Sequence, residues 1–100
     1  MTQTPSPNPS YTVSHNAAAH RFETTVEGHL ALAEYKMTSP SVMRLTHTKV
    51  PQALEGRGIA GALARFAMAH AREHRLKIDP QCPYMRAYME KHPETHDLRV

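Results

Sequence analysis

Through Arg21–Val26 apolar and polar residues alternate, with Phe22, Thr24 and Val26 on one side and Glu23 and Thr25 on the other. That is the period of a strand with one buried face. Glu27-Gly28 then supplies a hairpin turn. In the next run, residues 29–37, Leu30 and Leu32 take one face and Ala31, Ala33, Tyr35 and Met37 the other, the pattern of a central strand covered on both sides. Ser39-Pro40 marks another turn. Residues 41–48 resume the alternation, with Met43, Leu45 and His47 against Val42, Arg44 and Thr46. A short strand at residues 11–15 precedes these three, and antiparallel pairing in succession is the economical arrangement.

The period then changes. Ile59, Leu63, Phe66, Ala67, His70, Ala71 and His74 recur at helical spacing, while Arg65, Arg72 and Arg75 point elsewhere, which predicts one long helix over residues 58–74. Its alanines favour it intrinsically. Residues 76–79 read as a strand bounded by Pro80, so strand, helix and strand form a right-handed crossover with the two strands parallel. Pro83 opens a second helix with an apolar face of Tyr84, Met85, Tyr88 and Met89, running to Lys91 and stopped by Pro93. Packing back and fraying are both open to the tail, residues 94–100. The fold class is α+β.

The junction between the third antiparallel strand and the long helix carries the chemistry. Around Gly56-Arg57-Gly58 the backbone N–H groups of a helix start lack intrahelical partners, and glycine lets a ligand come close. Such a joint suits an anion, and phosphate above all. A dinucleotide fingerprint follows the first strand of a βα series, whereas three strands precede these glycines. No Walker-type loop is present either.

Composition narrows the setting. A chain of 100 residues is enough for one core, and residues 11–100 read as a single domain. Residues 1–10 hold Pro5, Pro7 and Pro9 among Ser, Thr, Gln and Asn, the composition of a flexible tail. The balance of 12 Lys+Arg against 9 Asp+Glu is modest and scattered, unlike the dense basic runs of nucleic-acid binding. One cysteine, Cys82, excludes an internal disulfide and fits a reducing compartment. With no leader and no apolar stretch of membrane-spanning length, the expectation is a cytoplasmic monomer without a membrane or nucleic-acid partner.

Val50-Pro51 followed by Glu55-Gly56-Arg57-Gly58-Ile59-Ala60 resembles the pyrophosphate-binding motif of the GNAT N-acetyltransferases. That motif reads Gln or Arg, two variable residues, Gly, one variable residue, then Gly or Ala; Gly58 and Ala60 match its fourth and sixth positions. Glu55 departs from its first. Together with Arg21-Phe22-Glu23, His47-Thr48, Pro80-Gln81-Cys82-Pro83-Tyr84 and His92-Pro93, the motif is similar to the short single-domain YjdJ-type branch, where glutamate at that position is usual. The resemblance implies a minimal GNAT-like fold in which the parallel strand pair splays to admit the pantetheine arm of acetyl-CoA. It implies that Val50, Glu55, Gly56, Arg57, Gly58, Ile59, Ala60 and Gly61 hold the coenzyme, with Arg57 reaching a phosphate, and that the thioester lies near Cys82.

Each singled-out residue also has a plainer reading. A lone cysteine is ordinarily a small buried hydrophobe, but Cys82 follows a strand end beside a helix N-terminus, the setting of a nucleophile. His47, on the side of Met43 and Leu45, is either a hydrogen-bonded core histidine or the general base. Thr48 satisfies a strand edge, and Tyr84 is more often core than general acid. His70-Ala71-Arg72-Glu73-His74 spells an inverted zinc-protease signature, but His70 continues the apolar helix face and no third ligand is evident, so no metal site is assigned. The expected activity is acetyl transfer from acetyl-CoA to an amine, by direct attack with His47 as base or through acetyl-Cys82. The alternative is a non-catalytic coenzyme A-binding module or adaptor on the same fold.

Overall fold

The antiparallel strands form in the predicted order. In the computed structural model, which describes residues 11–100, the elements are β1 (Ser14–Asn16), β2 (Arg21–Val26), β3 (His29–Ser39), β4 (Val42–Lys49), helix α1 (Ile59–Glu73), β5 (Lys77–Pro80) and helix α2 (Pro83–Lys91). Short 3-10 segments occupy Gln52–Leu54 and Pro93–Leu98. The predicted tail, residues 1–10, lies outside the described residues. One five-stranded sheet runs β1-β2-β3-β4-β5, antiparallel throughout except for the parallel β4–β5 pair. Glu27 and Gly28 both have positive φ, 52° and 79°, which matches the twist of the β2–β3 hairpin.

The helix-facing side of the sheet carries Phe22, Ala31, Ala33, Tyr35, Met43, Leu45 and Ile78, packed against Ile59, Leu63, Ala67 and Met68 of α1 and Met85 and Met89 of α2. Both helices share this face and touch each other. The expectation that β3 is covered on both sides is therefore corrected among the described residues. Leu30 is exposed on the far face, and Leu32 stands there between Glu23 and Lys49 in register. The aliphatic stems of such long polar side chains shelter a leucine without a second helix layer. β3 is central in order, but the fold has two layers.

The first strand is shorter and later than residues 11–15, although Tyr11 and Val13 still pack against the core. The tail packs back. Thr95 and Leu98 are buried, and the Val100 N–H donates to the Ile78 carbonyl at 3.0 Å, while Arg72 binds Asp97 at 2.9 Å. No helix of the described residues is long and apolar enough to cross a membrane.

Candidate functional site

β4 and β5 pair over four rungs, from Val42↔Lys77 to Leu45↔Pro80, and then part. Pro80 has no N–H to continue the ladder, and the N–H groups of Gln81 and Cys82 both turn back to the Leu45 carbonyl, at 3.1 and 2.9 Å. β4 itself continues along β3 as far as Lys49↔Leu32. Its edge beyond Leu45 is left without a β5 partner, so the two strands open into a wedge.

A bulge in β4 decides which side chains face that wedge. Tyr35 pairs with Leu45 and Glu34 with His47, so Thr46 is the extra residue. Because side chains alternate, one inserted residue reverses the faces beyond it. Thr48, opposite Ala33, joins Met43 and Leu45 on the helix side; His47, opposite Glu34, goes to the open face with Arg44. The expectation that His47 shares the side of Met43 and Leu45 is overturned. Strict alternation cannot register a bulge, and His47 is exposed, on the face away from Cys82.

Thr48 takes the place beside Cys82. Its hydroxyl lies 3.3 Å from the Cys82 sulfur, across the wedge. Cys82 is only 5% exposed and is the residue before α2. Burial raises the thiol pKa, but the Thr48 hydroxyl and nearby backbone N–H groups of Met85, Tyr84 and Thr48 outweigh it, so the net shift is downward. No side-chain hydrogen bond caps the start of α2.

After β4 the chain turns through Gln52–Leu54, where fully buried Leu54 anchors the loop. Gly56 and Gly58 follow in the left-handed region, φ 80° and 77°. A Cβ at either would meet nothing within 4 Å, so glycine is required by backbone conformation and not by crowding. Gly58 is the N-cap of α1; no side chain caps this end and no acidic residue stands in its first turn. The first helical bond is Ala62 N–H to the Gly58 carbonyl, which leaves the N–H groups of Ile59, Ala60 and Gly61 unused within the helix. Their dipoles favour an anion.

A cleft of about 290 Å³ lies against this end. Val50, Glu55, Gly56, Gly58, Ile59, Ala60 and Gly61 line it, together with Leu54 and Tyr84. Arg57 does not. Its guanidinium pairs with the Glu27 carboxylate on the β2–β3 turn, and its carbonyl accepts the Tyr11 hydroxyl at 2.8 Å. Arg57 thus clasps the loop to the hairpin, where the sequence pointed to a direct phosphate ligand.

Tyr84, read from the sequence as core, is instead 39% exposed on the cleft wall. Burial of its hydroxyl raises its pKa, with Arg65 acting in the opposite direction. The signal available was its place, one residue after the proline that opens α2, where a side chain faces back toward the neighbouring helix start. A second cleft of about 360 Å³ adjoins through Gly61 and Tyr84, with Arg65, Tyr88, Lys91 and His92 on its walls. Tyr88 and His92 stack there at 3.9 Å between ring centroids.

Comparisons with known proteins agree with this geometry. Residues 21–98 match the family described as GCN5-related N-acetyl-transferase. Protein NATD1 of Xenopus tropicalis is 34% identical over 89 residues, covering 87% of this chain and 82% of that protein. Protein NATD1 of Homo sapiens is 32% identical over 83 residues, covering 81% and 74%. The solution structure of a GCN5-like protein from Staphylococcus aureus superposes with a TM-score of 0.72 at 24% identity, covering 90% of this chain and 88% of that one. Ard1 from Thermoplasma volcanium gives 0.59 at 16% identity, over 73% and 54%. These two show the fold. With the splayed strand pair and the glycine turn at the helix start, the family match over 21–98 has its structural counterpart, and the chain belongs to the GCN5-related N-acetyltransferase family.

Proposed function

We propose that this chain, as one domain over residues 11–100, binds acetyl-CoA and transfers the acetyl group to an amine. The observation that carries the reading is the alignment of two features: an uncapped helix N-terminus with two left-handed glycines, and a strand edge left unpaired directly before it. The pyrophosphate belongs at the N–H groups of Ile59, Ala60 and Gly61, and the pantetheine amides along the free edge of β4. The nucleotide end extends into the second cleft, where Tyr88 and His92 offer an aromatic shelf beside Arg65 and Lys91.

The thioester then lies in the wedge, with Cys82 and Thr48 on the helix side and His47 on the open side. Strand N–H groups stabilise the oxyanion, and positioning of thioester and amine supplies most of the acceleration. Direct attack with His47 as general base fits the geometry better than an acetyl-Cys82 intermediate. The thiol is buried and already engaged by Thr48, so acylation of Cys82 requires local opening first. Calorimetric titration with acetyl-CoA, followed by assay with primary amines, tests the proposal. Binding without turnover supports the non-catalytic module instead.

A further inference from the structure

If the thioester occupies the wedge, α1 and α2 block approach to it from the helix side, and an acceptor must arrive across the open face of the sheet. This rests on the transfer reading above. Glu34 and His47 stand on that face directly opposite each other in register. Facing residues of an antiparallel pair have Cβ atoms about 4.5–5.5 Å apart. The bulge brings His47 to this face, and the Thr46 hydroxyl donates to the Glu34 carbonyl at 3.3 Å, tying the bulge to β3.

The carboxylates of the face are not equivalent. Glu23 binds Arg21 at 2.7 Å and Asp79 binds Arg44 at 2.9 Å. Arg21 is the register neighbour of Glu34 on β2, yet its guanidinium goes to Glu23. Lys36 and Lys49 share the face two positions along their strands from Glu34 and His47, and neither forms an ion pair with Glu34. Glu34 is thus a half-buried carboxylate without a cationic partner among the described residues, beside an imidazole, at the mouth of the wedge.

We infer that Glu34 is the residue that positions the acceptor, holding its ammonium group beside His47. Glu34 holds the ammonium by a charge-assisted hydrogen bond. His47 takes one proton from it, and the neutral nitrogen attacks the thioester carbonyl carbon. A C–N bond forms, the C–S bond breaks, and the coenzyme leaves as a thiolate that takes a second proton from the former ammonium nitrogen. The products are the N-acetyl amide, free coenzyme A thiol and protonated His47, which returns its proton to water.

A lysine side chain and a polyamine share this chemistry, and the test separates them. Amide spectra of the isotopically labelled protein are recorded with a lysine-containing peptide, with spermidine, and with the same peptide carrying norleucine in place of lysine. Shifts at Glu34, Thr46 and His47 with a charged amine but not with norleucine support the site, and the amine giving saturable shifts identifies the source. Shifts confined to the helix side, or equal for norleucine, overturn it. In kinetics, Glu34→Gln is expected to raise KM for the amine about tenfold or more, as loss of a hydrogen bond to a charge implies, leaving acetyl-CoA affinity unchanged. His47→Gln is expected to lower kcat. An unchanged amine KM in Glu34→Gln, with a native amide spectrum, contradicts the assignment. If acetyl-CoA itself does not bind, the transfer reading fails, while the amine titration still reads the Glu34–His47 site directly.

Discussion

The Thr48 hydroxyl and the Cys82 sulfur, 3.3 Å apart, bridge the wedge where β4 and β5 separate. Two residues 34 positions apart in sequence are brought together by three local events: a bulge at Thr46, a proline ending β5, and a helix start after Cys82.

This contact is expected to control the thiol. Thr48→Val keeps the shape and removes the hydroxyl, the strongest of the influences that lower the Cys82 pKa, so the thiol should titrate at higher pH than in the parent. Thiolate ultraviolet absorbance against pH reads this, and an unchanged or lowered titration contradicts the geometry.

The glycines of the turn should separate by conformation. Gly56→Ala and Gly58→Ala put a side chain at φ 80° and 77°, at a cost of roughly 1–2 kcal/mol each. Gly61 lies within α1, and a Cβ there meets only ordinary contacts, Arg65 at 3.6 Å and Tyr84 at 3.7 Å. Gly61→Ala is therefore expected to stabilise the fold by up to about 1 kcal/mol through helix propensity. Urea midpoints of the three variants check the order.

Acid should loosen the seam between β1 and α1. His15, His70 and His74 cluster there, with ring centroids 4.5 and 4.3 Å apart in sequence order, beside Phe22 and Tyr35. His15 bonds the Tyr35 hydroxyl at 2.6 Å. Burial first, then neighbouring histidines, lower the pKa of His15 and of His70, with Glu73 opposing weakly at His70. The folded state thus binds fewer protons than the unfolded chain. The stability these groups contribute is present above the ordinary histidine value of about 6.5 and is lost as pH falls from there through the lowered folded values. Glu23, Glu27, Asp79 and Asp97, each lowered by an arginine or amide partner, add losses only in the more acidic carboxylate range. Urea midpoints should fall between pH 8 and pH 5, and less steeply in His70→Phe; equal slopes in the two proteins contradict this account.

What the sequence conveyed follows from how each element is encoded. The long helix was readable because its apolar period and flanking glycine are local, and residues 58–74 became Ile59–Glu73 with Gly58 and His74 as caps. The glycine turn before it was readable for the same reason. The face of His47 was not, because a bulge is set by pairing with β3 and leaves no mark on alternation. The single helix layer was hidden by Leu30 and Leu32, whose apolar character suggested a second buried face. Arg57's clasp to Glu27 and Tyr84's position on the cleft wall depend on which elements the fold brings side by side, and no short-range pattern records that.

The glycine turn and the wedge are proposed to receive acetyl-CoA. Titration calorimetry of the parent and of Gly58→Val with acetyl-CoA, beside free coenzyme A and ATP, tests this most directly. The expected result is saturable micromolar binding of acetyl-CoA and coenzyme A by the parent, weaker binding of ATP, and loss of coenzyme binding in Gly58→Val while the variant remains folded. Absence of binding to every coenzyme A species by the folded parent contradicts it and leaves the glycine turn a structural joint.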